Sequence, residues 1–133
     1  MTGVLNWWKP QSVGASLYPA PFSTTLNVAG SSYSRPQGLP GASGTISFTG
    51  GDLTGTLSYP FTLSPLHKVF IPLPGSKSVT FTLSPLTGLF SGQFLDALHK
   101  EPFHGVLLQQ QDAAAGFFLD SGGSGVVNLT VSP

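Results

Sequence analysis

The sequence contains no cysteine. That absence removes disulfide frameworks, thiolate zinc sites and cysteine nucleophiles together, and it leaves the redox compartment open. Charge is nearly as scarce. Five Lys plus Arg and five Asp plus Glu make 8% charged residues with a formal net charge of zero, where ordinary soluble domains carry roughly a quarter. A basic nucleic-acid face, a polybasic membrane anchor and an acidic tail each need clustered like charge, so all three are excluded. Long apolar runs are missing too. No stretch approaches the roughly 20 residues of a spanning helix, so no membrane span is expected. Met1 to Lys9 has neither a basic start nor an apolar run of signal-peptide length. Helical period is also absent: Asp96 to Lys100 and Asp112 to Ala115, the best candidates, amount to single turns.

Glycine, proline and phenylalanine are plentiful. Across 133 residues there are 17 Gly, 12 Pro and 10 Phe, with a hydrophobic fraction of 40%. This is loop-rich, yet far too apolar for a disordered chain. One all-β domain over residues 1–133 is expected, with an irregular N-terminal segment 1–22 packed on it. Low charge and a Ser/Thr/Gly texture suit an exported bacterial domain, extracellular or at the cell surface, better than a cytosolic enzyme. With no signal peptide visible, an exported protein would leave this chain as a mature form or a piece of a longer one.

After residue 22 apolar positions recur at period two, the spacing of half-buried strands. Leu26 and Val28 alternate with Asn27 and Ala29, and Ile46 and Phe48 with Thr45, Ser47 and Thr49. After Gly50-Gly51-Asp52 a run places Leu53, Gly55, Leu57, Tyr59, Phe61 and Leu63 on one face. Pro60 inside it implies an edge or a bulge. Val69 and Ile71, then Val79, Phe81 and Leu83, then runs at 89–95, 103–111, 116–119 and 126–131 continue the pattern, with short Pro/Gly-rich or polar connections. About 8–10 short antiparallel strands predict a β-barrel, with a two-sheet β-sandwich as the alternative. Gly55, Gly92 and Gly105, read as lying inside strands, favour the barrel because they mark sharp coiling or close backbone approach.

One hexapeptide occurs twice: Phe61-Thr62-Leu63-Ser64-Pro65-Leu66 and Phe81-Thr82-Leu83-Ser84-Pro85-Leu86. A duplicated binding hairpin would produce it, and so would a meander in which two strands end in the same Ser-Pro turn. The meander is the simpler expectation.

The segment Thr87-Gly88-Leu89-Phe90-Ser91-Gly92-Gln93-Phe94, followed by FHGVLLQQQ at 103–111, by Gly116-Phe117-Phe118-Leu119 and by Ser124-Gly125, resembles a β-domain of the large repeat-rich exported proteins of Verrucomicrobia type, where it lies near the C-terminus. Leu5-Asn6-Trp7-Trp8-Lys9-Pro10, Tyr18-Pro19 and Gly30-Ser31-Ser32-Tyr33 look like that domain's start, so the likeness spans most of the chain. It implies kinship and an all-β fold, and carries no activity. The family pattern has Lys or Arg within the QQQ stretch and a Gly-Lys-Lys type turn before it. This chain has Gln110 and His99-Lys100-Glu101 there, which makes His99, Glu101 and His104 its own.

The densest polar grouping is Asp96, His99, Lys100, Glu101 and His104. Two imidazoles with two carboxylates are the chemistry of a general base with an orienting acid, or of a divalent metal as a possible cofactor. The order His-x-Glu-x-x-His is not the helical metalloprotease motif, and Pro102 breaks any helix there. His67 beside Lys68 is a further catalytic candidate if a carboxylate and a hydroxyl come near. No G-x-S-x-G, phosphate loop, dinucleotide fingerprint or EF-hand occurs, so no metal site is assigned. Trp7, Trp8 and Tyr33 are candidate ligand-binding residues, as aromatics that stack on sugar rings or pack on a partner.

Three functions follow. The leading expectation is a non-catalytic structural or interaction module, its partners being neighbouring domains or surface proteins, with oligomers possible through edge strands. The second is a small hydrolase, esterase- or lactonase-like, with or without the help of a metal, built on His67, His99, His104, Glu101 and Asp96. The third is a barrel binding carbohydrate or another small ligand.

Overall fold

In a computed structural model, described here for residues 1–35 and 42–132, the chain is all-β. Strands β3 (Ser43–Gly50), β4 (Leu57–Leu63), β5 (Val69–Phe70), β6 (Val79–Leu83), β7 (Leu89–Asp96), β8 (His99–Leu108), β9 (Ala113–Asp120) and β10 (Gly123–Ser132) form one antiparallel sheet. Its order is β5-β4-β3-β10-β9-β8-β7-β6, and it curls until its two edges nearly meet, giving an almost closed barrel. The barrel expectation therefore holds and the sandwich does not. Strands β1 (Thr2–Lys9) and β2 (Phe22–Ala29) form a separate two-stranded sheet.

Period two in the sequence becomes inside and outside in the barrel. On β10, Gly123, Gly125, Val127 and Leu129 are buried while Ser124, Val126, Asn128 and Thr130 are exposed. On β6, Val79, Phe81 and Leu83 are buried and Thr80 and Thr82 exposed. The interior is dominated by phenylalanine. Phe48 stacks on Phe94 at 4.3 Å and meets Phe103 edge-on at 5.0 Å, and Phe94 meets Phe118 at 4.9 Å. Each such side chain, fully buried, contributes about 1.5–3 kcal/mol from removal of apolar area, plus about 0.5–1.5 kcal/mol per favourable ring pair.

Two glycines make room for these rings. Gly105 lies opposite Phe90 on β7, and Gly125 opposite Phe118 on β9. A Cβ at either would overlap the facing aromatic ring. A ring laid over a cross-strand glycine lets a small barrel bend tightly and still fill its interior.

Several sequence expectations need correcting. Gly55 is not in a strand: β4 begins at Leu57, and nothing lies within 4 Å of where a Gly55 side chain would start. Between the runs expected at 89–95 and 103–111 the connection is only a tight turn at Ala97-Leu98, with Asp96 already paired to His99. Neither single-turn helix forms; a short 3-10 turn occupies Gln109–Gln111 instead, and β9 starts at Ala113. Residues 1–22, expected to be irregular, include a full strand whose eight residues pair with β2. That segment was legible as aromatic but not as periodic, since Trp7-Trp8 and Asn6 blur the alternation. Pro60 behaves as expected: β5 pairs β4 only at Thr62 and Leu63, leaving the Pro60 stretch as an edge.

Candidate functional site

The barrel has two unlike ends. At the first end lie the turns after β3, β7 and β9, and Asp120 organises two of them. Its carboxylate is buried and accepts N–H bonds from Asp52 (3.1 Å), Gly122 (2.8 Å) and Gly123 (2.9 Å). Three such donors compensate a buried carboxylate for the water it has lost. Asp52 in turn accepts the Ser121 hydroxyl at 2.7 Å. That bond, more than any other influence, holds the Asp52 carboxyl below its ordinary range. The acids at this end are thus turn fasteners.

The candidate catalytic residues are divided among places that strand geometry keeps apart. Asp96 and His99 face each other across the β7–β8 turn, and Glu101 lies opposite Phe94. These three share the inward side of the sheet. Lys100 and His104 fall on the opposite side, where His104 lies opposite Phe117 with the rings 6.4 Å apart. His67 belongs to the β4–β5 turn, with φ +60° and its N–H donating to Ser64 O at 2.8 Å. Its Nε2 is buried without a hydrogen-bond partner. Among the described residues, no three His, Asp or Glu side chains come together as a metal would require.

The candidate ligand-binding aromatics are also separated. Trp7 lies opposite Thr24 and Trp8 opposite Ser23, so the two indoles occupy opposite faces of the hairpin. Tyr33 is on the barrel instead. Its hydroxyl donates to Pro85 O at 2.9 Å, and its ring covers Gly88, whose φ of +71° favours glycine and where a Cβ would overlap the ring. Burial pushes the Tyr33 phenol above its usual range, with Arg35 opposing the shift.

The role of the QQQ stretch emerges only in three dimensions. Gln109 bonds Ser34 twice, accepting from its N–H and donating to its carbonyl, both at 2.8 Å. Gln110 engages Ser31 and Ser32, and Gln111 donates to Gly30 O at 3.2 Å. The 3-10 turn therefore clamps the segment leaving the hairpin. At the barrel's first end the Tyr18 hydroxyl accepts from Ser124 N at 2.6 Å. The hairpin is thus tied to the barrel at both ends, while no residue of β1 or β2 joins the core.

Its cross-strand register sorts the hairpin's residues. Leu5, Trp7, Phe22, Leu26 and Val28 share one face with Gly3, Lys9 and Thr24, and the other face is mostly polar. Leu5, Trp7, Leu26 and Val28 are all 39–52% exposed. Phe117, Leu119 and Val126 add exposed apolar area on the barrel's outside.

The second end of the barrel, beyond the Phe cluster, is hollow. A cavity of about 610 Å³ opens there, walled by Phe61, Leu63, Phe81, Leu83, Leu107 and Leu129, with Asp112 at its rim. The chain matches no protein family model, no curated protein and no solved structure. No helix among the described residues is long and apolar enough to cross a membrane.

Proposed function

We propose that this chain is a non-catalytic structural and interaction module of an exported bacterial protein, and that its β1–β2 hairpin contacts a neighbouring domain or surface partner. The observation that carries the reading is the amphipathic hairpin. A two-stranded sheet alone is marginally stable in water, and this one is held by polar ties at its ends while its apolar face stays exposed. Contiguous exposed apolar surface of this kind marks interaction sites. Low charge and Ser/Thr-rich outer faces support export, as does the resemblance to exported β-domains. A hydrolase reading is less favoured because Asp96, His99 and Glu101 lie across the sheet from His104, and His67 belongs to a different turn.

Two measurements test this. Both tryptophans of the chain are in β1, so indole emission reports on the hairpin alone. The purified chain should emit as exposed indoles and be quenched freely by acrylamide. Blue-shifted, quencher-protected emission from a monomer would mean that the hairpin is already covered, and the interaction reading fails. Hydrolysis of a model ester that disappears in a His99→Ala/His104→Ala double variant would replace the module with an enzyme.

A further inference from the structure

We infer that the hollow end of the barrel is a binding site for a small amphiphilic amine, its apolar body in the cavity and its cationic head at Asp112. The site is independent of the hairpin. Its volume of about 610 Å³ falls within the roughly 300–1,000 Å³ of small-molecule sites. Toward the other end the interior is occupied by interlocked phenylalanines.

The duplicated hexapeptide builds the walls. Its two copies end β6, one edge strand of the sheet, and β4, which is next to the short edge strand β5 at the other edge, and the rings of Phe61 and Phe81 meet at 5.2 Å. Leu63 and Leu83, at the matching position of each copy, also line the cavity. Each copy then stops in its Ser-Pro turn, with Ser64 N donating to Lys68 O at 2.9 Å and Ser84 N to Leu89 O at 2.8 Å. The repeat thus supplies matched apolar walls as well as matched turns.

Head-group chemistry follows from the rim. Asp112 is the one ionisable side chain lining the cavity among the described residues. It caps the 3-10 turn in the left-handed region, at φ +47°. Gln109, also on the rim, has both ends of its amide committed to Ser34. A carboxylate above an apolar void favours a cation and repels a fatty acid of the same length.

The test is displacement of the neutral apolar dye Nile red by decylamine, decanol and decanoate, which share a chain and differ in head group. Decylamine should displace the dye at roughly tenfold lower concentration than decanoate, the scale of one rim charge attracting one head and repelling the other. In Asp112→Asn, a substitution that tolerates the left-handed backbone, this gap should shrink to about twofold or less. Val131→Trp, at the half-open end of β10, should weaken all three ligands, with circular dichroism and melting confirming an intact fold. Equal displacement by amine and acid, or a preference that persists in Asp112→Asn, overturns the proposal. Dye binding that survives Val131→Trp and disappears in Trp7→Ala would place the ligand on the hairpin and overturn it equally.

Discussion

Strands β1 and β10 each carry apolar residues on one face, and both pair along their length with an antiparallel neighbour. On β10, Val127 and Leu129 are 0% and 4% exposed, whereas on β1, Leu5 and Trp7 are 52% and 50% exposed. The difference does not lie in the strands. β10 is flanked on both edges, by β9 and β3, in a sheet that curls back on itself, so its inward residues belong to one core with those of six other strands. β1 has one partner, β2, and among the described residues none of its side chains belongs to the core. Alternation specifies that a strand has an apolar side; only topology decides whether anything covers it.

The sharpest way to break this comparison is to remove a side chain from the covered surface. Phe48→Ala takes out the ring on which Phe94 stacks and against which Phe103 and Phe118 pack. Transfer and cavity terms together should cost about 3–5 kcal/mol, read as a large drop in the urea midpoint. A loss under about 1 kcal/mol would mean that the Phe cluster is not the centre of stability.

Glycines offer the next contrast. At Gly105 a methyl group would overlap the Phe90 ring and the Ala115 carbonyl, while at Gly3 in the hairpin nothing lies within 4 Å. Gly105→Ala should destabilise by about 1–3 kcal/mol through overpacking. Gly3→Ala should be neutral or slightly stabilising, since it only narrows the unfolded ensemble. Thermal melts of the two variants side by side check both signs.

How much of this could be read beforehand depends on what carried each feature. The barrel was legible because its signals are local: period-two patterning from Ile46 onward, turn residues, and Gly92 and Gly105 inside strands. The edge position of β4 was legible from Pro60, which cannot donate to a ladder. The ends of the barrel were not. The grouping at residues 96–104 looked like a site because five polar residues are close in sequence, but a two-residue turn followed by a strand sends His104 to the other face from Glu101. The cavity was hidden for the opposite reason. Its walls come from β4, β6, β8, β9 and β10, and no short segment contains them; the repeated FTLSPL was the one trace, legible as turns and not as walls. The Gln109–Gln111 clamp likewise required knowing that residues 30–34 pass over it.

A smaller effect separates the barrel's turns from the hairpin. The Ser121 hydroxyl holds the Asp52 carboxyl below its ordinary range. A lowered folded-state value means that the bond stabilises above the unfolded value, about pH 3.9, and that this stabilisation is lost as pH falls through the folded value. Ser121→Ala should therefore melt slightly below the parent at neutral pH, and the gap should close on acidification. A gap that widens in acid would contradict the assignment. Because the turns belong to the barrel, indole emission from Trp7 and Trp8 should not follow this titration.

The smallest effect is expected where apolar side chains are largest and least covered. Trp7 packs edge-on against Phe22 at 5.3 Å on the hairpin's own face, and otherwise half of its surface meets solvent. Since no residue of β1 or β2 belongs to the core, Trp7→Ala should move the barrel's melting by no more than about 0.5 kcal/mol, against several for Phe48→Ala. Amide exchange should meanwhile quicken in β1 and β2 alone, because the variant removes a cross-strand aromatic contact from a sheet with few others. Large destabilisation of the barrel by Trp7→Ala would show that the two sheets share a cooperative unit, and that the exposed face stabilises this chain itself and is not reserved for a partner.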